Sequence, residues 1–123
     1  MANYINDTVF DNGLSTLVSN ANTLLITTAD PNGTYATATA NTVGTDAVTP
    51  GAISSGATDG RRSVIPAITS GTVNNTGTAT HWALTSTTTS TLFANGPLSA
   101  SQSVTSGNTF TLDAVSITIR DAT

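Results

Sequence analysis

The segment FTLDAVSITI, residues 110 to 119, decides the fold class. Phe110, Leu112 and Ala114 share one parity, whereas Val115, Ile117 and Ile119 share the other. Strand side chains alternate between two faces with period two, so one regular strand cannot bury both sets on the same side. A bulge, a bend or a strand switch is therefore required near Asp113 to Val115, and the last strand is expected to turn a corner.

Upstream of this segment the pattern is persistently β from residue 62. Strands are predicted near 62–69, 72–75, 78–85, 90–94, 101–105, 108–113 and 114–120, with breaks at Gly71, Gly77, Asn95-Gly96-Pro97 and Ser106-Gly107-Asn108. Many short strands with frequent turn signals argue for an antiparallel β-sandwich or small β-barrel. Within this region HWALTSTTTSTLFANG, residues 81 to 96, reads as a hairpin. Trp82 and Leu84 share one face, His81, Ala83 and Thr85 the other, and Leu92 and Phe93 begin the returning strand.

The N-terminal part reads differently. Val9, Phe10, Leu14, Leu17 and Val18 form the stripe of one amphipathic helix, with Asn6 or Asp7 as its cap and Asp7 and Asp11 placed to favour the macrodipole. The two carboxylates are read as capping residues rather than a glycosidase pair. The helix should fade around residues 20–22, before TLLITTA, residues 23–29, a short buried strand. Asp30-Pro31-Asn32-Gly33 is a turn, with Gly33 free to take positive φ; it lacks calcium-loop ligand spacing. TYATATANTV, residues 34–43, alternates but is too bland to assign a buried face. Residues 44–60 are Gly-rich without a sustained period and are read as a long loop or extended arm. The domain expectation is thus one unit over 1–123, comprising a helical region at 1–22, a Gly-rich loop or arm at 44–60 and a β-rich core at 62–120.

Composition agrees with a β-rich, thinly cored protein. The 123 residues include 27 Thr, 13 Ser and 11 Asn, no Glu, no Lys and no Cys. Threonine suits an exposed strand face, and the strong surface helix formers are nearly absent. Leu, Ile, Val and Phe number only 26, yet a net charge of −4 is too small to drive expansion. Without cysteine there are no disulfides or thiolate metal sites, so stability must come from packing or assembly. The opening MANYINDTVF lacks the basic and apolar segments of a secretory signal, and no stretch has the apolar length of a membrane helix. Synthesis in the cytoplasm is expected, and the acceptor-like triplets at Asn6, Asn32 and Asn74 carry little weight.

Constellations for catalysis are scarce, and no enzyme activity is expected. His81 is the sole histidine, no Glu exists, and neither a nucleophile elbow nor a phosphate loop occurs. No cofactor or metal site is expected. Arg61 and Arg62 are two of three cationic residues in an acidic chain, too few for nucleic-acid binding. Because charge is rare and they flank the arm, they are candidate interface residues. Trp82 and Tyr35 are candidate glycan-platform aromatics, although a lone Trp in an alternating strand is more often a core anchor.

GTATHWALTSTTTSTLFANGPLSASQSVTSGNTFTLDAVSITI, residues 77–119, resembles the C-terminal part of small structural proteins of tailed bacteriophages. There a THWAL-like strand precedes a small-residue turn and an SQxVTSGNTF-like segment. MANYINDTVFDNGLSTLVSNANTL also resembles the opening of such proteins, while residues 35–60 depart from it. The resemblance implies a capsid decoration, or cement, protein. Such a protein would bind the major capsid protein on the virion exterior as a homo-oligomer, with a trimer the expected form. It would have no nucleic-acid or membrane partner. The alternative is a small tail or fibre-associated protein with a receptor or glycan-binding role.

Overall fold

The computed structural model describes residues 7–56 and 60–119, with residues 7–11 as backbone only. The expected helix is present as α1, Asp7–Asn20. Its Leu14 and Leu17 are buried and Val18 packs on the main core. Asn6 and the side chains of Asp7 and Asp11 lie outside the described residues.

Strand β1, Thr23–Thr27, follows directly. Leu24 and Ile26 face the main core, and Leu25 faces a smaller cluster on the opposite side. The DPNG segment turns as expected: Asp30 Oδ1 accepts from the Asn32 N–H at 2.8 Å, and Gly33 has φ 74°.

The alternating Thr/Ala stretch that follows is not one strand. It begins with a second helix, α2, Tyr35–Ala40, and only then becomes strand β2, Thr42–Ala47. Alanine is the best helix former, and Thr34 caps the helix by accepting from the Thr37 N–H. At the other end, the Asn41 amide and the Thr42 hydroxyl donate to the carbonyls of Thr37 and Ala38 at 2.9 and 2.7 Å. Ala38 then packs with Leu25, Ala83 and Leu92. The short α2 is thus an addition to the expected N-terminal helix.

The long loop or extended arm expected over 44–60 begins later than expected and is interrupted by a short strand. Residues 44–47 complete β2, which lies between two other strands of the larger sheet. Further on, strand β3, Ser54–Ser55, pairs with strand β4, Arg61–Ile65. The connection is held down by Val48 N–H donating to Asn22 O and Gly51 N–H to Val64 O, at 3.0 and 2.9 Å.

After β4 come β5, Ile68–Val73; β6, Gly77–Ser86; β7, Thr91–Val104; β8, Thr109–Leu112; and β9, Val115–Ile119. They build a six-stranded antiparallel sheet in the order β7-β6-β1-β2-β5-β8 and a three-stranded sheet in the order β3-β4-β9. The fold is mainly β, and the larger sheet curls into a half-barrel, consistent with a sandwich or small barrel.

The parity break at 113–115 is a switch between sheets. β8 pairs with β5 in the larger sheet and β9 with β4 in the smaller. The partner strand bends at the same level: Ile65 faces Val115 and Ile68 faces Leu112, with Pro66-Ala67 opposite Asp113-Ala114. The predicted strand 62–69 is thus divided at Pro66, which has no N–H for a ladder. Gly71 is not a break but sits inside β5, where a Cβ would overlap the Phe110 ring. One bent antiparallel ribbon carries both sheets, and Ile65, Ile68, Phe110, Val115 and Ile117 share their core.

The predicted strands 90–94 and 101–105 are joined in β7, which runs through Asn95-Gly96-Pro97. An edge strand tolerates proline because its outward side needs no ladder donor. Among the described residues the buried polar ones are Thr27, Ser63, Thr85 and Ser86. The first three donate to the carbonyls of Ala29, Gly51 and Thr23, and Ser86 Oγ accepts from the Thr89 N–H, so each is satisfied.

Candidate functional site

The curl of the larger sheet brings its two edge strands, β7 and β8, toward each other without a ladder between them. A cavity of about 430 Å3 lies at this seam. Its walls come from Trp82 on β6, the 97–102 part of β7 and residues 111–115, which span the sheet switch.

Three local features shape it. First, Trp82 pairs with Gly96, and a Cβ on Gly96 would stand 3.0 Å from the indole Cζ2. The missing side chain allows the large ring to lie across β7. Second, the β6–β7 ladder is interrupted between Ala79–Gln102 and His81–Pro97. Thr80 alone there faces four residues, Leu98 to Ser101. This bulge carries part of β7 off the ladder and into the cavity wall. Third, Gln102 Nε2 donates to the Thr111 carbonyl at 3.1 Å, a side-chain bridge between the two edges.

Leu98, Leu112 and Val115 give the lining an apolar part, and Ser99, Gln102, Thr111 and Asp113 a hydrogen-bonding part. Among the described lining residues Asp113 alone is charged.

Trp82 is half-buried and packs on the main core while also lining the cavity. It is both core residue and wall. Tyr35 is not brought to it, because α2 packs on the face of Leu25 and Ala83, opposite to Trp82. His81, next to Trp82 in the strand, is partly exposed, and its Nδ1 lies 2.8 Å from Thr80 Oγ1. Among the described residues no group of three or more His, Cys, Asp or Glu could hold a metal ion. No described helix is long and apolar enough to cross a membrane.

Arg61 and Arg62 occupy the middle strand of the smaller sheet. As neighbours in a strand they point to opposite faces. Arg61 Nη1 donates to Ser55 Oγ at 3.3 Å, whereas Arg62 Nε is buried with no hydrogen-bond partner among the described residues. The register sets Arg61 against Ile119 on β9. Ile119 is the exposed large hydrophobic residue of the described structure.

Of the cavity residues, sequence reasoning named only Trp82 as a candidate site residue. Gln102, Thr111 and Asp113 are remote from it along the chain and meet it through the curl and the sheet switch. One sequence signal was available, since Gln102 is the sole glutamine. Comparison with protein-family models, curated proteins and solved structures finds no match.

Proposed function

We propose that the chain is a virion structural protein that decorates and stabilises a tailed-phage capsid by binding the major capsid protein. The observation that carries this reading is the free side of β9. Among the described residues the strand pairs only with β4; it holds no charged residue in VSITI and ends at exposed Ile119. Uncharged edge strands invite further pairing unless something covers them. Beside this edge, the orphaned Arg62 nitrogen is a group that a partner's carboxylate or carbonyl could satisfy after local adjustment. The resemblance of residues 77–119 to phage structural proteins adds to the reading. Assembly as a homo-oligomer, with a trimer as the form to test, would repeat the contact over the capsid exterior.

The test is co-sedimentation of the full chain with assembled capsids. The reading expects saturable, stoichiometric binding that falls in the Arg61→Ala, Arg62→Ala double variant. Absence of binding to capsids would contradict the decoration role. Undiminished binding by the variant would remove the arginines from it. A second reading, a tail or fibre-associated protein with a receptor or glycan-binding role, is favoured by the place of Trp82 in the seam cavity.

A further inference from the structure

We infer that the cavity between β7 and β8 binds a neutral saccharide unit, and not an acidic one. The inference rests on the glycan-binding reading and narrows its ligand class.

The cavity volume of about 430 Å3 falls within the ordinary range of small-ligand sites, roughly 300–1,000 Å3. Trp82 supplies an indole that is apolar over its face and donates from its N–H. Around it stand a carboxylate, an amide and hydroxyl groups, from Asp113, Gln102, Ser99 and Thr111. Gln102 uses one of its two N–H groups on the Thr111 carbonyl, which fixes the amide and leaves its second N–H and its carbonyl oxygen for a ligand. The carboxylate only accepts, while the hydroxyls and the amide both donate and accept, so a ligand that satisfies the set must bring donors as well as acceptors. It must also bring a flat apolar patch for the indole. A pyranose does both, with C–H groups on its face and hydroxyls on its rim.

Charge removes the competing classes. No described lining residue is cationic, and Asp113 would repel a phosphate, sulfate or carboxylate. The hydrogen-bonding groups of the wall would be left unpaired by a lipid chain, which makes an apolar ligand costly. Two strand edges flank the cavity, so an extended peptide is the remaining competitor. The Leu98–Ser101 bulge disfavours it, because it removes the regular spacing that strand addition needs.

Trp82 is the chain's only tryptophan, so its emission reports on this site alone. The experiment titrates the full chain with methyl glycosides of glucose, galactose, mannose and N-acetylglucosamine. Parallel arms use N-acetylneuraminic acid and an uncharged Thr/Val pentapeptide. A saturable change with at least one neutral glycoside is expected, weakened about fivefold in Asp113→Asn and in Gln102→Ala. Tyr35→Phe should bind as the parent does. Asp113 is exposed, so its variant should fold, and circular dichroism checks both variants. Binding of N-acetylneuraminic acid alone would overturn the neutral class while sparing the glycan reading. Binding of the peptide alone, or of nothing, would overturn both. Neutral-sugar binding unchanged in the two variants would place the ligand elsewhere and overturn the site.

Discussion

Gln102 and Thr111 join the two edges of the six-stranded sheet through one side-chain hydrogen bond of 3.1 Å, Nε2 donating to the backbone carbonyl. At this point the two edges are bridged by a side-chain interaction worth about 1 kcal/mol and not by a backbone ladder. Gln102→Ala is expected to lower the unfolding free energy by about that amount with an unchanged denaturant slope, as measured by urea unfolding. A loss of several kcal/mol would mean that the bridge is integral to closure of the core.

Phe110 lies across Gly71, one strand over in the same sheet, leaving no room for a Cβ. It also approaches Gly44, where a Cβ would stand 2.9 Å from the ring. Gly71→Ala is therefore expected to destabilise by about 2 kcal/mol through overpacking. Phe110→Leu in the same chain should relieve part of this, so the double variant is more stable than the sum of the two single effects by about 1 kcal/mol. Additive effects in the double-mutant cycle would show that the ring does not act on Gly71.

Arg62 is half-buried, with its Nε desolvated and unpaired. Arg62→Met keeps the apolar stem and removes the orphaned donor. The free protein is expected to gain about 1 kcal/mol in unfolding free energy, while capsid binding weakens. A variant less stable than the parent would show that Arg62 already has a stabilising partner in the isolated chain.

Stability should be uneven across the two sheets. β1 is flanked by β2 and β6, with its own Ile26 and Leu84 of β6 fully buried, whereas β3 has two residues and β9 is an edge. Hydrogen exchange is expected to be slowest in β1 and β6 and fastest in β3 and β9 of the free protein. Uniform protection would contradict this division.

What was legible in the sequence follows from periodicity. The opposite parities of Leu112 and Val115 marked the sheet switch, and the spacing of Leu14, Leu17 and Val18 marked α1. The Trp82–Phe93 hairpin was equally plain: Thr85 pairs with Leu92 and Ser86 with Thr91. Local chemistry misled where tertiary context decides. The Ala/Thr repeat at 35–40 suits strand or helix, and the Thr34 cap with the Leu25–Ala83 surface selects the helix. Asn95-Gly96-Pro97 reads as a break, yet the strand passes through it because β7 lies at an edge. Gly71 reads as a turn, yet it makes space for Phe110. The cavity was legible only through Trp82, since the curl that brings Gln102 and Asp113 to it leaves no local pattern.

The most direct test of the decoration reading is a reconstruction of virions that carry the protein, at a resolution that traces the chain. The account expects copies at repeated positions on the capsid exterior, with the β9 edge and the Arg61–Arg62 strand against the major capsid protein. A chain found only on the tail, or present in only a few copies per particle, would contradict it.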